Sequence, residues 1–218
     1  MNFDVSIIEK YGPLILSGLP MVLFISAVSA VFGFLIGLLA VFLRGRNKVL
    51  KTIVNGYIDL IRGTPVYVQL IFFYLGLPGL FPGFNPPEVL SCIIVFSINS
   101  GAYLSEILRA GVEGIDRGQI EAAKALGVSK SDIARHIIFP LALRNVLPAV
   151  MNEFITLTKE TSIVSVIGVA DMMYRYNNVS ASTYSTFEPL LVIFIAYYIL
   201  NVILSQIGRF IERKLSYA

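Results

Sequence analysis

The chain has 218 residues, of which 56% are hydrophobic and only 14% are charged, and its mean hydropathy is +0.77. A water-soluble domain of this length needs far more polar surface, so the composition excludes an ordinary soluble fold and favours a membrane protein. The formal net charge is +3, and the basic residues lie at the ends of apolar segments, so we expect no nucleic-acid partner.

Long apolar stretches predict five membrane-spanning helices, because about 20 apolar residues cross a bilayer core. Four of the stretches carry no charged residue, namely residues 13–43, 64–87, 89–105 and 189–208. The fifth, residues 145–170, contains only Glu153, Lys159 and Glu160 as charged residues. We therefore predict an all-α membrane protein whose five transmembrane helices cover approximately residues 13–43, 64–82, 88–108, 145–170 and 187–213. Within the first helix, GFLIG at residues 33–37 is a small-xxx-small motif, which we interpret as ordinary helix packing rather than a dimer interface.

The distribution of lysine and arginine predicts the orientation of these helices, since positive residues near short loops stay on the cytoplasmic side. Basic residues follow the first, third and fifth predicted helices, whereas the opposite side holds only Lys10 and Arg175. We therefore expect a multi-pass protein whose N-terminus lies outside and whose C-terminus lies in the cytoplasm.

Residues 109–144 form the largest predicted cytoplasmic segment. The sequence QIEAAKAL favours a helix that ends at Gly127, and SDIARHIIFPLAL favours a second helix capped by Ser129 or Ser131. Two short helices that meet at a glycine form an elbow on the cytoplasmic side. Patterning alone leaves a surface loop packed on lipid headgroups as an equally good alternative.

This elbow resembles the EAA loop of ABC-transporter permeases, in which Glu-Ala-Ala is followed by three residues, Gly, nine residues and Ile-x-Leu-Pro. The chain carries the motif as Glu121, Ala122, Ala123, Gly127 and Ile137-Ile138-Phe139-Pro140, with Phe139 replacing the usual leucine. The stretches LIRGTPVYVQLIFFY, NSGAYLSEILRAG and NEFITLTKETSIVSVI are similar to the polar amino-acid permease subfamily of bacterial importers. The resemblance therefore covers most of residues 59–167.

The resemblance implies a type I ABC importer permease, a single transmembrane domain over residues 1–218 in the bacterial cytoplasmic (inner) membrane. It implies that the loop at 109–144 docks coupling helices on a cytoplasmic ATP-binding subunit. The coupling residues would be Glu121, Ala122, Ala123, Gly127 and Pro140. The implied partners are two copies of that ATPase, a second permease, an extracytoplasmic amino-acid-binding protein and membrane lipid. We expect the second permease to be an identical copy, because the chain carries its own complete loop and its own Glu153.

We expect a non-catalytic transport subunit rather than an enzyme. The sequence contains no phosphate-binding loop of the form G-x-x-x-x-G-K-[ST], so ATP and Mg belong to the partner ATPase and we expect no cofactor on this chain. Its single cysteine, Cys92, and its single histidine, His136, predict no disulfide and no metal site. An intramembrane enzyme would need a nucleophile with a base, or a pair of metal ions, and the sequence shows neither pattern. A secondary transporter or channel is the remaining alternative, and five helices without an internal repeat disfavour it.

An ionisable residue deep in a membrane helix predicts a functional site. Glu153 lies about eight residues, or about 12 Å at helical rise, from the cytoplasmic end of the fourth helix, near the bilayer midplane. Thr156 and Glu160 share its helical face. We predict that Glu153 contacts the substrate, with pairing inside the bundle as the alternative, and we expect Lys159 and Glu160 to neutralise each other.

Other polar residues extend the predicted substrate site. A stripe on the third helix consists of Asn99, Tyr103 and Glu106, with Ser97 and Ser100 beside it. Asp171 follows the fourth helix on the outer side, where it would add to an acidic access path. The predicted substrate-binding residues are Glu153, Asn99, Ser97, Tyr103, Thr156 and Asp171.

The charge of Glu153 also predicts the cargo. A carboxylate in a membrane cavity favours a cationic ligand, and a basic amino acid carries a cation on its side chain in addition to its α-ammonium. Together with the resemblance, this predicts import of arginine, lysine or histidine. Glutamine or another polar amino acid is the alternative.

Overall fold

The computed structural model describes residues 3–216, and every regular element that these residues form is a helix. The α-helices are α1 (Val5–Leu16), α2 (Leu19–Arg44), α3 (Lys48–Arg62), α4 (Val66–Ile71), α5 (Leu77–Leu80), α6 (Glu88–Glu113), α7 (Arg117–Ala125), α8 (Lys130–Ile133), α9 (Phe139–Glu160), α10 (Met172–Thr183) and α11 (Phe187–Ser216). Two π-helical segments, Phe72–Gly76 and Ala134–Ile138, and one 3₁₀ segment, Thr161–Ile167, continue or connect these helices. The predicted all-α class is confirmed.

Within the described residues, four helical stretches are long and apolar enough to cross a membrane. They are Val5–Arg44, Glu88–Glu113, Lys130–Ile167 and Phe187–Lys214. A fifth candidate is the pair Lys48–Arg62 and Val66–Leu80, whose axes meet at 103°. The fold therefore offers four spans, or five if the bent pair counts as one, which agrees with the five-helix prediction.

The first predicted helix, at residues 13–43, is in fact two helices, α1 and α2, which meet at Gly18. A Cβ on Gly18 would lie 2.4 Å from the backbone carbonyl carbon of Asp171, so the close approach of these two turns requires glycine. The prediction missed most of α1 because Glu9 and Lys10 interrupt its apolar pattern. The N-terminal part of the chain is therefore helical and packs against α10 and α11.

Helix α3 is not among the predicted helices, because its charged residues interrupt every apolar window. It is amphipathic, and its inward residues Val54 and Ile58 form a small cluster with Ala40 of α2. The helix ends at Arg62, and Pro65 precedes the first residue of α4 with an extended backbone. The short turn between them produces the 103° bend.

The elbow and the fourth span are continuous, although the sequence predicts a boundary at residue 144. The helical stretch runs without interruption from Lys130 to Ile167. Pro140 follows a π-helical turn, in which the Phe139 backbone N–H donates to the Ala134 carbonyl. Because proline has no N–H, the wider turn accommodates the missing hydrogen bond, and Pro140 does not end the second helix of the elbow.

The most extensive helix–helix contact among the described residues joins α2 and α6. A Cβ on Gly33 would lie 3.0 Å from the Cβ of Ser100, and a Cβ on Gly37 would lie 3.0 Å from the Cβ of Leu104. Glycines on one helix thus let the second helix approach closely. The GFLIG motif serves packing inside the chain, as predicted.

Gly101→Leu is expected to destabilise the chain by about 1–3 kcal/mol, the usual cost of overpacking. A Cβ at this position would lie 2.6 Å from Cγ2 of Ile36, so α2 and α6 would have to separate. The midpoint of thermal unfolding in detergent, followed by circular dichroism, measures the effect. Gly56→Ala is the control, because nothing lies within 4 Å of its added Cβ and alanine favours a helix. Equal midpoints for the two variants would show that the α2–α6 contact is loose.

Candidate substrate site and coupling elbow

Glu153 of α9 is half-buried, and its carboxylate reaches α6. The Ser100 hydroxyl donates a hydrogen bond of 3.1 Å to Glu153 Oε1. Among the residues that the structure describes, no lysine, arginine or histidine nitrogen lies within 4.0 Å of this carboxylate. An ionised carboxylate in this position lacks a compensating charge, so a cationic ligand would stabilise it.

A cavity of about 330 Å³ opens beside Glu153, between α2, α6 and α9. Its polar lining residues are Ser100 and Glu153. The remaining wall is apolar and consists of Ala30, Val31, Phe34, Leu35, Leu104, Val150, Met151 and Phe154. Such a wall can contact the aliphatic part of a small ligand while the carboxylate holds a polar or cationic group at one end.

Asn99 lies on a different face of α6 and is absent from this lining. Its Nδ2 donates a hydrogen bond of 3.1 Å to Oε1 of Gln69 in α4. Nε2 of Gln69 donates in turn to the carbonyls of Ile61, at 2.8 Å, and Thr64, at 3.0 Å. Asn99 therefore helps to fix the bend between α3 and α4, and the structure does not bring it to Glu153 as the sequence predicts.

Ser97 and Tyr103 are also engaged away from the cavity. The Ser97 hydroxyl donates to the Ile93 carbonyl of its own helix at 2.5 Å. The guanidinium of Arg62 lies over the Tyr103 ring, with 5.2 Å between its Cζ and the ring centroid. The predicted stripe on α6 is therefore not one continuous ligand surface within this chain.

Glu106, the last member of that stripe, is held by two arginines. Its Oε1 lies 2.5 Å from Nη1 of Arg44, and its Oε2 lies 2.7 Å from Nη2 of Arg109. Arg109 also pairs with Glu113. The cluster joins the ends of α2 and α6 directly before the elbow, so Glu106 differs from Glu153 in having its charge compensated.

Asp171 and Thr156 occupy contrasting positions. Asp171 is 0% exposed, and its Oδ1 accepts a hydrogen bond of 2.8 Å from the Tyr174 N–H at the start of α10. The structure therefore does not place Asp171 on an exposed acidic access path as the sequence predicts, because its carboxylate caps α10 and does not reach the surface. Thr156 is half-buried one turn beyond Glu153 on the same side of α9, as the helical spacing predicts.

Lys159 and Glu160 do not form the expected ion pair. In the part of the chain that the structure describes, their charged atoms are more than 4.0 Å apart. Consecutive helical residues point about 100° apart, so neighbours in sequence do not face each other. Lys159 is accordingly exposed, whereas Glu160 is half-buried.

The first helix of the elbow, α7, is closed by a Schellman motif at Gly127. The Gly127 N–H donates to the Lys124 carbonyl at 3.0 Å, and the Val128 N–H donates to the Ala123 carbonyl at 3.1 Å. The motif requires the left-handed backbone of Gly127, whose φ is +76°. Glycine adopts this conformation without strain, so the turn is both sharp and defined.

The elbow presents several residues of the predicted coupling set to solvent. Glu121 and Ala122 are exposed, Ala123 is buried, and the apolar side chain of Leu126 is 83% exposed. Pro140 lies in the first turn of α9 and is half-buried, well beyond the tip of the elbow. The exposed part of the predicted set therefore surrounds the turn at Gly127.

Sequence reasoning missed two contacts that shape the site. The Gln69–Asn99 and Arg44–Glu106 pairs join residues 30 and 62 positions apart, and no local spacing rule predicts them. The pairs within α6 were predictable, since Glu106 and Glu113 stand three and four residues from Arg109.

Known proteins share this architecture. Residues 29–217 match the family described as binding-protein-dependent transport system inner membrane component. The chain is 42% identical to the arginine transport system permease protein ArtQ of Bacillus subtilis (strain 168) over 216 residues, which cover 99% of this chain and 98% of that protein. It is 37% identical to the glutamine transport system permease protein GlnP of Escherichia coli (strain K12), over 99% of both chains. A solved structure, described as the crystal structure of an amino acid ABC transporter with histidines, superimposes with a TM-score of 0.92 at 39% identity, covering 98% of this chain and 100% of that chain.

These similarities extend over nearly the whole chain and include both the bundle and the elbow. The fold is that of a type I ABC importer permease. Subunits of this kind are non-catalytic, and ATP hydrolysis belongs to a partner ATPase. The chain belongs to the family of binding-protein-dependent transport system inner membrane components, the membrane-spanning permease subunits of bacterial ABC importers.

Proposed function

We propose that this chain forms half of the translocation path of an ATP-driven amino-acid importer, and that its cargo is a basic amino acid, namely arginine, lysine or histidine. The observation that supports the cargo is the carboxylate of Glu153, which lines a largely apolar cavity together with one other polar residue, Ser100, its hydrogen-bond donor. A guanidinium, ammonium or imidazolium supplies the counter-charge that this carboxylate lacks. Glutamate and aspartate would bring a second anion and are disfavoured by repulsion.

The names of similar proteins support the same class of cargo and one alternative. The Bacillus subtilis relative is named for arginine, and the superimposed transporter was solved with histidines. The Escherichia coli relative is named for glutamine. Glutamine is therefore the second candidate, because the Ser100 hydroxyl and Glu153 also offer a donor and an acceptor to a carboxamide. The two candidates differ in whether binding depends on the charge of Glu153.

We infer that the elbow docks on a cytoplasmic ATP-binding subunit, which binds ATP and Mg. Glu121 offers an exposed charge to a basic group of the partner, and Ala122 and Gly127 are small enough for close backbone approach. Ala123 supports the turn from inside, and Pro140 follows where the elbow continues into α9. Because this helix is continuous with the fourth span, a rotation of the elbow is transmitted directly to Glu153.

The complete importer would contain two permeases and two ATPase copies, together with an extracytoplasmic amino-acid-binding protein. We propose an identical second permease, because this chain carries a complete elbow and its own cavity with Glu153. Each copy would then supply one cargo site and one docking site for an ATPase. Two-fold symmetry of this kind is the commonest arrangement among homo-oligomers.

We propose that the N-terminus lies outside and the C-terminus in the cytoplasm. Arg44 and Arg109 lie together before the elbow, and Arg213 and Lys214 lie in the last turn of α11. Positive residues of this kind stay on the cytoplasmic side. The α10–α11 turn, at the opposite end of α11, then lies on the outer side.

Purification of the tagged chain from membranes is expected to bring down a separate ATPase. Vesicles that contain the purified complex should accumulate arginine when ATP is supplied, and accumulation should stop when the catalytic carboxylate of that ATPase is replaced. The control is the same vesicle without binding protein. Uptake by this chain alone, driven by a proton or sodium gradient, would overturn the proposal.

A further inference from the structure

Tyr184, in the turn between α10 and α11, has an unusual backbone and an unusual exposure. Among the residues that the structure describes it is the single non-glycine residue with a positive φ, +53°. Its side chain is 95% exposed. Tyr184 is the C-cap of α10, where a left-handed backbone is common but is usually adopted by glycine. A bulky residue is rare in this conformation, so the surroundings of the tyrosine side chain are of interest for its role.

Tyr184 stands at the edge of a concave surface. This cavity, of about 470 Å³, lies between the start of α1 and the turn that precedes α11. Two more aromatic side chains, Phe3 and Phe187, line it, and their ring centroids are 6.1 Å apart in an edge-to-face arrangement. We call Phe3, Tyr184 and Phe187 the aromatic rim. Each of the three is more than half exposed.

The aromatic rim is held in place by a hydrogen-bonded acidic floor. Oε1 of Glu188 accepts a hydrogen bond of 3.0 Å from the Asp4 N–H, and Oε2 accepts one from the Ser185 hydroxyl. Asp4 itself caps α1 by accepting from the Ser6 N–H at 2.9 Å. Within residues 3–214, no basic side-chain nitrogen lies within 4.0 Å of either carboxylate.

We propose that the aromatic rim and the carboxylates of Asp4 and Glu188 form a docking surface for the extracytoplasmic binding protein, and that the surface receives a lysine or arginine side chain of that protein. The proposal rests on the orientation given under Proposed function, in which this end of α11 lies outside. Exposed aromatic residues beside a concavity are typical of binding hot spots. The acidic floor complements a basic side chain, whose aliphatic part the rings can cover.

A bilayer surface fits these observations less well. Aromatic residues do anchor membrane proteins at the headgroup level. The acidic floor, however, would repel an anionic headgroup, and an anchoring tyrosine on a regular helix needs no left-handed backbone. The family is also one whose transport depends on a binding protein.

Tyr184→Gly separates the role of the side chain from that of the fold. Glycine relieves the positive φ, so the variant should insert and assemble normally. The concentration of cargo-loaded binding protein that half-maximally stimulates ATP hydrolysis should rise about tenfold, the loss expected for one hot-spot aromatic. The maximal rate at saturating binding protein should stay unchanged. Tyr184→Asn should raise the half-maximal concentration in the same way, because asparagine also tolerates a positive φ. Tyr198→Ala is the control. It removes a tyrosine of α11 that is 66% exposed and should leave the half-maximal concentration unchanged.

Cysteine labelling distinguishes a failure of this inference from a failure of the proposed orientation. Tyr184→Cys should react with a membrane-impermeant maleimide from outside the cell, and Ser129→Cys on the elbow only after permeabilisation. The native Cys92 is buried and gives a low background. Cargo-loaded binding protein should protect Tyr184→Cys from labelling. If Tyr184→Cys is labelled only after permeabilisation, both the orientation and the docking surface are overturned. If it is labelled from outside but the binding protein does not protect it, the docking surface alone is overturned. An unchanged half-maximal concentration for Tyr184→Gly would likewise overturn the docking surface alone.

Discussion

Glu153→Gln is expected to weaken binding and ATP-driven uptake of arginine by about 100-fold, because truncating one partner of a desolvated charge pair costs about 2–5 kcal/mol. The substitution keeps the size of the side chain and its contact with Ser100. Binding of glutamine should change little, since a carboxamide can exchange hydrogen bonds with either side chain. Radiolabelled arginine and glutamine, offered both to the purified permease and to vesicles with the complete importer, measure the two effects.

Two variants control this experiment. Ser100→Ala leaves the carboxylate charged and removes one hydrogen bond, so the affinity for arginine should fall only about tenfold or less. Glu88→Gln removes an exposed carboxylate that does not line the cavity, so it should leave arginine binding unchanged. Equal losses of arginine and glutamine in Glu153→Gln would mean that Glu153 is structural, and that glutamine or another polar amino acid is the better assignment.

Gly127→Pro is expected to abolish the ATP hydrolysis that cargo-loaded binding protein stimulates, while the chain stays inserted in the membrane. The native φ of Gly127 is +76°, whereas proline fixes φ near −65°. Proline also removes the N–H that donates to Lys124. The Schellman turn would therefore be lost, and α7 would leave the position in which it contacts the ATPase. Stimulated ATP hydrolysis in vesicles, normalised to the inserted amount, measures the loss.

Matched variants show whether the turn or the residue matters. Asparagine tolerates the left-handed conformation, so Gly127→Asn should retain most of the stimulated activity. Glu121→Lys reverses an exposed charge without touching the turn and should impair coupling through the partner contact alone. Full stimulation in Gly127→Pro would show that the elbow is a surface loop rather than the coupling element.

The apolar pattern predicted the helices that lipid or the bundle interior surrounds, and it failed where a helix carries charges. The third and fifth spans were predicted to within a few residues, because their cores contain no ionisable side chain. Helix α3 and the start of α1 were missed, since charged residues on one face interrupt any purely apolar window. The continuity of the elbow's second helix with the fourth span was also missed, because Arg144 interrupts the apolar pattern at the predicted boundary.

The candidate site was predictable in one helix and not between helices. The position of Glu153 follows from hydropathy and charge alone. Its partner on α6 depends on the rotation of that helix, which the Gly33 and Gly37 contacts fix by bringing Ser100 and Leu104 against α2. Asn99, one residue earlier on α6, therefore points about 100° away, towards Gln69. Rotation of this kind is a property of tertiary packing that one sequence does not reveal.

Competition for arginine uptake tests the central claim, that this permease carries basic amino acids in an ATP-driven importer. Vesicles should contain the purified importer and its binding protein, with ATP on the side of the elbow. Radiolabelled arginine is expected to accumulate only with ATP, and excess unlabelled lysine or histidine should reduce its uptake far more than excess glutamine. Accumulation on a sodium or proton gradient without ATP, or competition by glutamine as strong as that by lysine, would contradict the account.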